Sequence, residues 1–558
     1  MRQAAMTLMR GDAALQAGHA LLQHAALCTV AVDPKAGPGV APRFLALAWR
    51  RRVVLIDVPG TPGLSALLQR PLPFAAADGK RAHHALIAAD LAVPDRWACA
   101  TVCEQLLAAA TGVQATGQTP LTTATARFAM PPLPDMADGL DALGAYTLGL
   151  EALIQSQSDA LLALGMRAVS RLEAAAVAAI AEMEHRGMPF DAPRWRQLSA
   201  DDAATRAALV AWLRANLQQP DMDVDDDKQL LAALRRAGHA PASGRRQDLQ
   251  RLVAPWGDKL AELSRVNKRC QAYGPSFLQH VGPQGRIHPT FDQVGANTGR
   301  MACHAPNLQA MTKTGGRRSC FAASPGRSLV VADYRACELR ILAHLSQDHA
   351  FLQAFARGDD VHAQVATRIF GHHHSTERRA EQRQVAKVVS FGLVYGMGSR
   401  GLARTLNVTP ARAEALQAQY FGAFPQVAAY LHDTEATALS RGYAQTLTGR
   451  RLQLQVTATD TEAERAACRR LARNMPIQGT SADIIKLALA RLRALGSASD
   501  PTGTVNCVHD EIMVECAAAD ATAFGQALSG HMLAAASGLV QTVPWAVDLR
   551  SGQAWSAT

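Results

Sequence analysis

No Cys-x-x-Cys pair in the sequence meets a histidine or a second such pair at zinc spacing, so nothing points to a structural zinc site. The 10 cysteines are scattered singly, apart from Cys99 and Cys103, and are expected to be reduced thiols of a cytoplasmic protein. No uncharged apolar run is long enough to span a bilayer, which argues against a membrane protein. The first residues, MRQAAMTLMRGDAALQAGHALLQHAALC, are interrupted by Arg10, Asp12 and His19 before any signal-like apolar core develops, so export is not expected. Nothing repeats at solenoid spacing. Acidic residues are in deficit, 47 against 57 Lys and Arg, for a net charge of +10; that suits a polyanionic partner and equally fits a merely soluble basic protein.

What is present is a chain of 558 residues, 48% hydrophobic and 19% charged, which is globular and longer than one compact core usually holds. Residues 27–60 alternate apolar runs with turn signals, the pattern of a short sheet. Residues 80–165 are Ala- and Leu-rich and read as mostly helical, with a Pro-rich loop at 130–135. A long helix is expected from Arg171 to Gly187, where Gly187 and Pro189 stop it. The domain boundary is placed near 165–171. Residues 192–280 read as charged helices broken by a flexible GHAPASGRR loop. The Ala-rich tracts keep regular apolar spacing and read as ordinary helices.

Three constellations could carry chemistry. In SLVVADYRACELRILAHL (328–345) a β-branched apolar run turns into an amphipathic helix, with Asp333 at the junction. A carboxylate there is either exposed at a sheet edge, where ligands reach it, or a cap for the helix that begins near Ala336. In TVNCVHDEIMVEC (504–516) two apolar strands flank His509, Asp510 and Glu511, a hairpin with an acidic turn or a plain surface turn. Two strand-end aspartates on one sheet could hold a pair of Mg²⁺ ions roughly 3.5–4 Å apart, the arrangement that clamps attacking and leaving oxygens in phosphoryl transfer. In RQVAKVVSFGLVYG (383–396), Arg383, Lys387, Phe391 and Tyr395 recur at i+4, so on a helix they span roughly 120° of one face. Two cations followed by two aromatics could grip a triphosphate at one end and pack on a base or sugar at the other; each alone is more simply a basic turn or a core aromatic. A flexible GMGSRG follows.

DYRACELR, RQVAKVVSFGLVYG and VHDE stand in the order and approximate spacing of the three polymerase motifs of family A DNA polymerases, the class of bacterial DNA polymerase I and its phage relatives. Supporting segments agree: Gly285 to Pro289, Thr298 to Met301 with Pro306 to Gln309, Asp360 to His362, Thr448 to Arg451, and Arg470 through Asn474 to Gln478 and Asp483. The resemblance runs from about Arg171 to the final VPWAVDLRSGQAW. It implies an α+β multidomain fold: a right-hand polymerase of palm, fingers and thumb over 171–558, with the thumb about 192–280, the fingers about 346–440 and the palm the remainder. It implies a template-directed DNA polymerase with primer–template DNA and deoxynucleoside triphosphates as partners, monomeric and cytoplasmic, using two Mg²⁺ ions with Mn²⁺ able to substitute. Asp333 and Asp510 resemble the metal-binding palm aspartates, the main-chain carbonyl of Tyr334 a further ligand, and Glu511 an auxiliary carboxylate. Arg383 and Lys387 resemble the triphosphate-binding pair, assisted by His362, with Phe391 near the sugar and Tyr395 near the nascent base pair. Glu338 resembles the steric gate that excludes a 2′-hydroxyl. Arg300, Asn307, Gln309, Arg470, Asn474, Gln478 and His509 match positions that touch primer, template or minor groove, contacts that check pair geometry more than sequence.

The chain departs from the family pattern in two places. Between Tyr334 and Glu338 the family usually has Ser-Gln-Ile; Arg335-Ala336-Cys337 here adds a charge and removes a polar contact, and altered fidelity or substrate tolerance is expected. Residues 1–170 resemble a ribonuclease H-like 3′–5′ exonuclease domain that has lost its chemistry: Asp33-Pro34-Lys35 puts a cation where a second carboxylate belongs, residues 77–82 lack the central Asp, and Tyr146 to Leu150 ends in an apolar residue. One carboxylate cannot hold two divalent cations beside Lys35, so a structural role is expected, with Asp57 the candidate for a displaced ligand. A 5′-nuclease domain upstream is not expected. The alternatives are a polymerase that keeps exonuclease activity through displaced ligands, a nuclease whose remainder grips DNA, and a non-catalytic DNA-binding scaffold.

Overall fold

The computed structural model describes residues 8–113, 119–313, 315–372, 375–455, 457, 459–496 and 501–555. The chain divides into two units: Met1–Arg186 with Thr290–His304 and Val330–Ser551, and a smaller unit of Gly187–Pro289, Ala305–Leu329 and Gly552–Thr558.

The larger unit opens with a six-stranded mixed sheet: β1 (Leu8–Met9), β2 (Cys28–Val32), β3 (Phe44–Trp49), β4 (Arg52–Asp57), β5 (Phe74–Ala76) and β6 (Trp97–Cys99), in the order β1-β4-β3-β2-β5-β6. The central pairs β2/β3 and β3/β4 are antiparallel, and β5 and β6 add in parallel. Period-2 alternation divides the central strands. Val30, Val32, Leu45, Leu47, Val54 and Ile56 pack on helices Gly11–Leu22 and Gly79–Ala88. Ala31, Ala46 and Leu55 pack on Leu143, Leu150 and Leu153 of helix Leu140–Ala163. Strand β6 lies inside the stretch expected to be helical; at three residues it is too short to show alternation.

Helix Arg167–Arg186 starts four residues before the expected Arg171, its first turn carried by Val169, which is fully buried. It buries nearly every side, including Glu173, Glu182 and Glu184, and each acid has a cation. At the centre, Glu173 meets Arg450 and Lys486, while Arg450 also pairs with Asp483 at 2.7 Å. Buried charges persist only when paired and hydrogen-bonded. Thr446 and Thr448 complete the shell by donating to Asp483.

A four-stranded sheet forms the unit's second β layer. Its order is Gly503–Val508, Glu511–Ala517, Arg327–Tyr334, Val547–Gly552. The first two strands are an antiparallel hairpin in the register Val508↔Glu511 and Cys507↔Ile512, so the turn is His509-Asp510. Helices Thr480–Leu492 and Ala521–Leu539 pack on each other beside it.

The smaller unit is built on helices Ala192–Asn216, Asp227–Arg236 and Trp256–Tyr273, whose Leu209, Leu213, Leu230, Leu234, Leu260 and Val266 share one core. Trp195 stacks on Phe277, and buried Arg317 lies over the Trp195 ring. Among the described residues no helix is long and apolar enough to cross a membrane.

Candidate functional site

Strand Arg327–Tyr334 is buried along almost its whole length, so its backbone is fixed where it carries Asp333 near its end. Tyr334 anchors that end: its ring is buried against Trp545, its hydroxyl donates to the Met532 carbonyl at 2.6 Å, and its N–H donates to the Asp510 carbonyl at 3.3 Å. This last bond ties the strand that carries Asp333 to the hairpin turn that carries Asp510. Asp333 is not at the N-cap position of the helix that follows. The residue at the N-cap of helix Cys337–Ser346 is Ala336, at φ 53°, whose side chain makes no cap bond.

The hairpin turn is tight because His509 takes φ 57°, and Asp510 follows it, partly enclosed. Burial pushes Asp510 up to about 6; Glu338 and Glu511 add repulsion, and Arg300 opposes it. Glu338, in the first turn of helix Cys337–Ser346, pairs with Arg300, and burial raises its pKa as well. Concentrated, partly desolvated negative charge of this kind suits a cation. Among the described residues no three His, Cys, Asp or Glu side chains converge into a metal cage. The donors fit Mg²⁺, which is held by one or two carboxylates and completes its shell with carbonyl, water and phosphate oxygens.

A second cluster sits on helix Thr376–Val394, which Ser375 caps. Arg383 and Lys387 are exposed on it, Phe391 is half-buried, and Tyr395 closes its C-terminus. His362 joins them: its ring lies 5.7 Å from that of Phe391, which is 6.0 Å from Tyr395. Burial, with Lys387 and Arg383 nearby, lowers His362 to about 4, so its imidazole is neutral at pH 7. Asp360 was not singled out from the sequence as a site residue. It caps helix Val361–Phe370 and accepts from Arg383 Nε at 2.7 Å, tying the cation to the neighbouring helix. The capping pattern Asp-x-His just before an apolar helix was the signal available.

The GMGSRG segment, expected to be flexible, is a turn that enters helix Ser399–Leu406. Gly396, at φ 73°, lies against the Arg470 side chain, 2.8 Å from where a Cβ would stand, so Arg470 is brought to the end of the Tyr395 helix. Asn474 ends helix Glu462–Asn474 and Gln478 lies in the π-helical turn Met475–Gly479 that follows, a local widening frequent at functional sites. Among the described residues Asn474 Oδ1 is buried without a hydrogen-bond partner. Asn307 and Gln309 belong to the smaller unit, where Asn307 caps the turn Leu308–Ala310 by accepting from Ala310 N–H at 3.1 Å.

The family description "DNA polymerase family A" matches residues 226–557. DNA polymerase I of Chloroflexus aurantiacus is 33% identical over 450 residues, covering 77% of this chain and 47% of the relative. DNA polymerase I of Pseudomonas aeruginosa is 33% identical over 389 residues, covering 66% and 42%. The chain thus spans about half the length of the curated relatives it matches. A solved structure described as the POL domain of Pol1 from M. smegmatis, in complex with DNA primer-template and dNTP, superposes with a TM-score of 0.85 at 27% identity, covering 99% of this chain and 100% of that one. With the matched segment taking in both aspartates, the helix of Arg383 and Lys387 and the hairpin turn, the chain belongs to DNA polymerase family A.

Proposed function

We propose that this chain is a template-directed DNA polymerase that adds deoxynucleotides to a primer 3′ end and does not proofread. The observation that carries the reading is the main-chain bond from Tyr334 to Asp510, which joins the strand of Asp333 to the hairpin turn of Asp510 while Glu338 and Glu511 crowd Asp510 with like charge. Asp333, Asp510 and the Tyr334 carbonyl, with Glu511 in support, would hold a pair of Mg²⁺ ions, or Mn²⁺ in their place, which would supply Lewis-acid chemistry when bound.

The residues do the rest by position and charge. Exposed Arg383 and Lys387 bind the triphosphate, and Asp360 keeps Arg383 aimed until phosphate competes for it. Neutral His362 offers a hydrogen bond without a further charge. Phe391 and Tyr395 pack on the sugar and nascent pair, and Glu338 occupies the space of a 2′-hydroxyl. The primer 3′-oxygen attacks the α-phosphorus and the bond to pyrophosphate breaks. Arg300, Asn307, Gln309, Arg470, Asn474, Gln478 and His509 hold primer and template.

Residues 1–170 form, in this reading, a ribonuclease H-like exonuclease domain that has become structural, and 171–558 the polymerase, with thumb about 192–280, fingers about 346–440 and palm the remainder. Loss of exonuclease chemistry is supported by the use of the candidate carboxylates: Asp33 accepts from Lys35, Arg43 and Phe44 N–H groups, and Asp57 pairs with Arg10; the nearby Asp78 caps helix Gly79–Ala88. Action in the cytoplasm fits a chain whose cysteines form no disulfide among the described residues.

A labelled primer annealed to template, incubated with Mg²⁺ and either all deoxynucleotides or none, tests the reading. Extension that Asp333→Asn and Asp510→Asn abolish is expected, with no shortening when nucleotides are withheld. Failure of the unmutated protein to extend across a range of salt would overturn the polymerase reading, and shortening without nucleotides would restore the exonuclease.

A further inference from the structure

Arg300 and Glu338 meet in the larger unit, and how each is held says what the pair does. Arg300 leaves a tight turn closed by Gly299 N–H to the Ala296 carbonyl at 2.8 Å and Ala296 N–H to the Arg300 carbonyl at 3.1 Å. The turn needs Gly299. Its φ is 81°, and a Cβ there would lie 2.5 Å from Nε of Arg450. Arg450 cannot give way, since Glu173 and Asp483 hold it in the buried ion network. Arg300 is thus displayed from a rigid seat.

Glu338 is in the opposite situation. Its side chain is 11% exposed, and among the described residues Arg300 is the one donor to its carboxylate. Asp510 and Glu338 repel each other. Without Arg300, a side chain with three free torsions would carry a partly desolvated charge beside a like charge, and would relieve it by rotating to solvent or by taking a proton. Either response matters, because a steric wall works only while it stands in one place.

We propose that Arg300 is a positioning residue for sugar selection: its ion pair with Glu338 holds that carboxylate fixed as the wall that excludes a ribonucleotide. This rests on the polymerase reading and adds to it. A role of Arg300 confined to primer and template would weaken deoxy- and ribonucleotides alike, since both carry the same primer terminus; a positioning role changes their ratio.

The test measures kcat/KM for dCTP and CTP, and their equilibrium Kd on a dideoxy-terminated primer–template, in the unmutated protein, Arg300→Met, Arg300→Lys, Glu338→Ala and the double variant Arg300→Met with Glu338→Ala. Arg300→Met is expected to lower the deoxy-to-ribo ratio about tenfold or more, the effect of losing one hydrogen bond to a charged group. Arg300→Lys should recover part of it. In the Glu338→Ala background the Arg300→Met change should leave the ratio where it is, because no wall remains to be positioned. Parallel losses for both nucleotides with an unchanged ratio would overturn the inference alone, as would a further drop in the double variant. Failure of the unmutated protein to bind or extend with either nucleotide would overturn the polymerase reading and this inference with it.

Discussion

Two sheets in the same unit each end a buried strand on an aspartate, and they use it in opposite ways. Asp33, after β2, turns back on its own chain: Oδ2 accepts from Arg43 N–H at 2.6 Å and Phe44 N–H at 3.3 Å, and Oδ1 from Lys35 N–H at 3.2 Å. Asp57, ending β4, is met by Arg10 at 2.6 Å. At the other sheet Asp510 is pushed up to about 6 by burial, with Glu338 and Glu511 adding repulsion against Arg300. Strand-end carboxylates are thus not equivalent. One group spends its oxygens on closing loops and stabilises the fold; the other keeps an electrostatic cost that a bound cation would relieve. Concentrating such cost is how a functional site differs from a structural tie.

The largest break in that comparison is Asp510→Asn. Removing a carboxylate expected to hold the cation should cut primer extension by at least about 10³-fold. It should not lower the denaturant midpoint of the metal-free protein, because the lost charge was buried beside like charge. Loss of extension together with a large loss of stability would make Asp510 structural and erase the contrast.

Glu182 sharpens the comparison through pH. Burial alone would raise it, but the neighbouring His83 ring and the Arg493 charge outweigh burial and hold it down to about 2. Arg493 Nη2 lies 2.8 Å from its carboxylate. A carboxyl whose folded pKa is depressed binds fewer protons folded than unfolded. Its contribution is therefore complete above the ordinary value near 4.5 and drains as pH falls through about 2. Denaturation followed from pH 6 to pH 2 should show a loss on the order of 2–3 kcal/mol from this group, and Glu182→Gln should flatten that slope. Asp33→Asn tests the tie itself. It should cost about 1–2 kcal/mol, from weakened backbone acceptors, with primer extension unchanged. Exonuclease activity that disappears in Asp33→Asn would mean the first sheet still carries chemistry.

Much of this was legible before any coordinates, for a physical reason: the site lies on elements whose pattern is local. The hairpin at 503–517 announces itself by two apolar runs around three polar residues, and the 383–395 stripe by strict i+4 spacing. What escaped was non-local or too short. Strand β6 has three residues and no alternation to read. The network of Glu173, Arg450, Asp483 and Lys486 joins residues hundreds of positions apart in sequence, each an ordinary charge by itself. The Arg300–Glu338 pair is likewise invisible to spacing. Asp333 reads from the sequence as a helix cap, whereas the N-cap position falls three residues later on the left-handed Ala336.

The same distinction decides what Arg335 does, the charge that sets this chain apart from the usual family pattern. Its main chain is tied on both sides, N–H to the Ala546 carbonyl at 3.0 Å and carbonyl to Arg340 Nε at 2.8 Å, so the backbone between Asp333 and Glu338 is held without help from the side chain. The guanidinium reaches Asp548 on strand Val547–Gly552. That strand flanks Arg327–Tyr334 on the side away from the Asp510 hairpin, so the added charge is neutralised on the far edge of the sheet. Both partners are well exposed, 59% and 39%, and an exposed pair contributes little. Arg335→Ser should therefore change stability by less than about 0.5 kcal/mol and leave both extension and the deoxy-to-ribo ratio unaltered. A shift in that ratio would show that the charge is felt at Glu338 through the strand, and would extend the electrostatic site to both edges of the sheet.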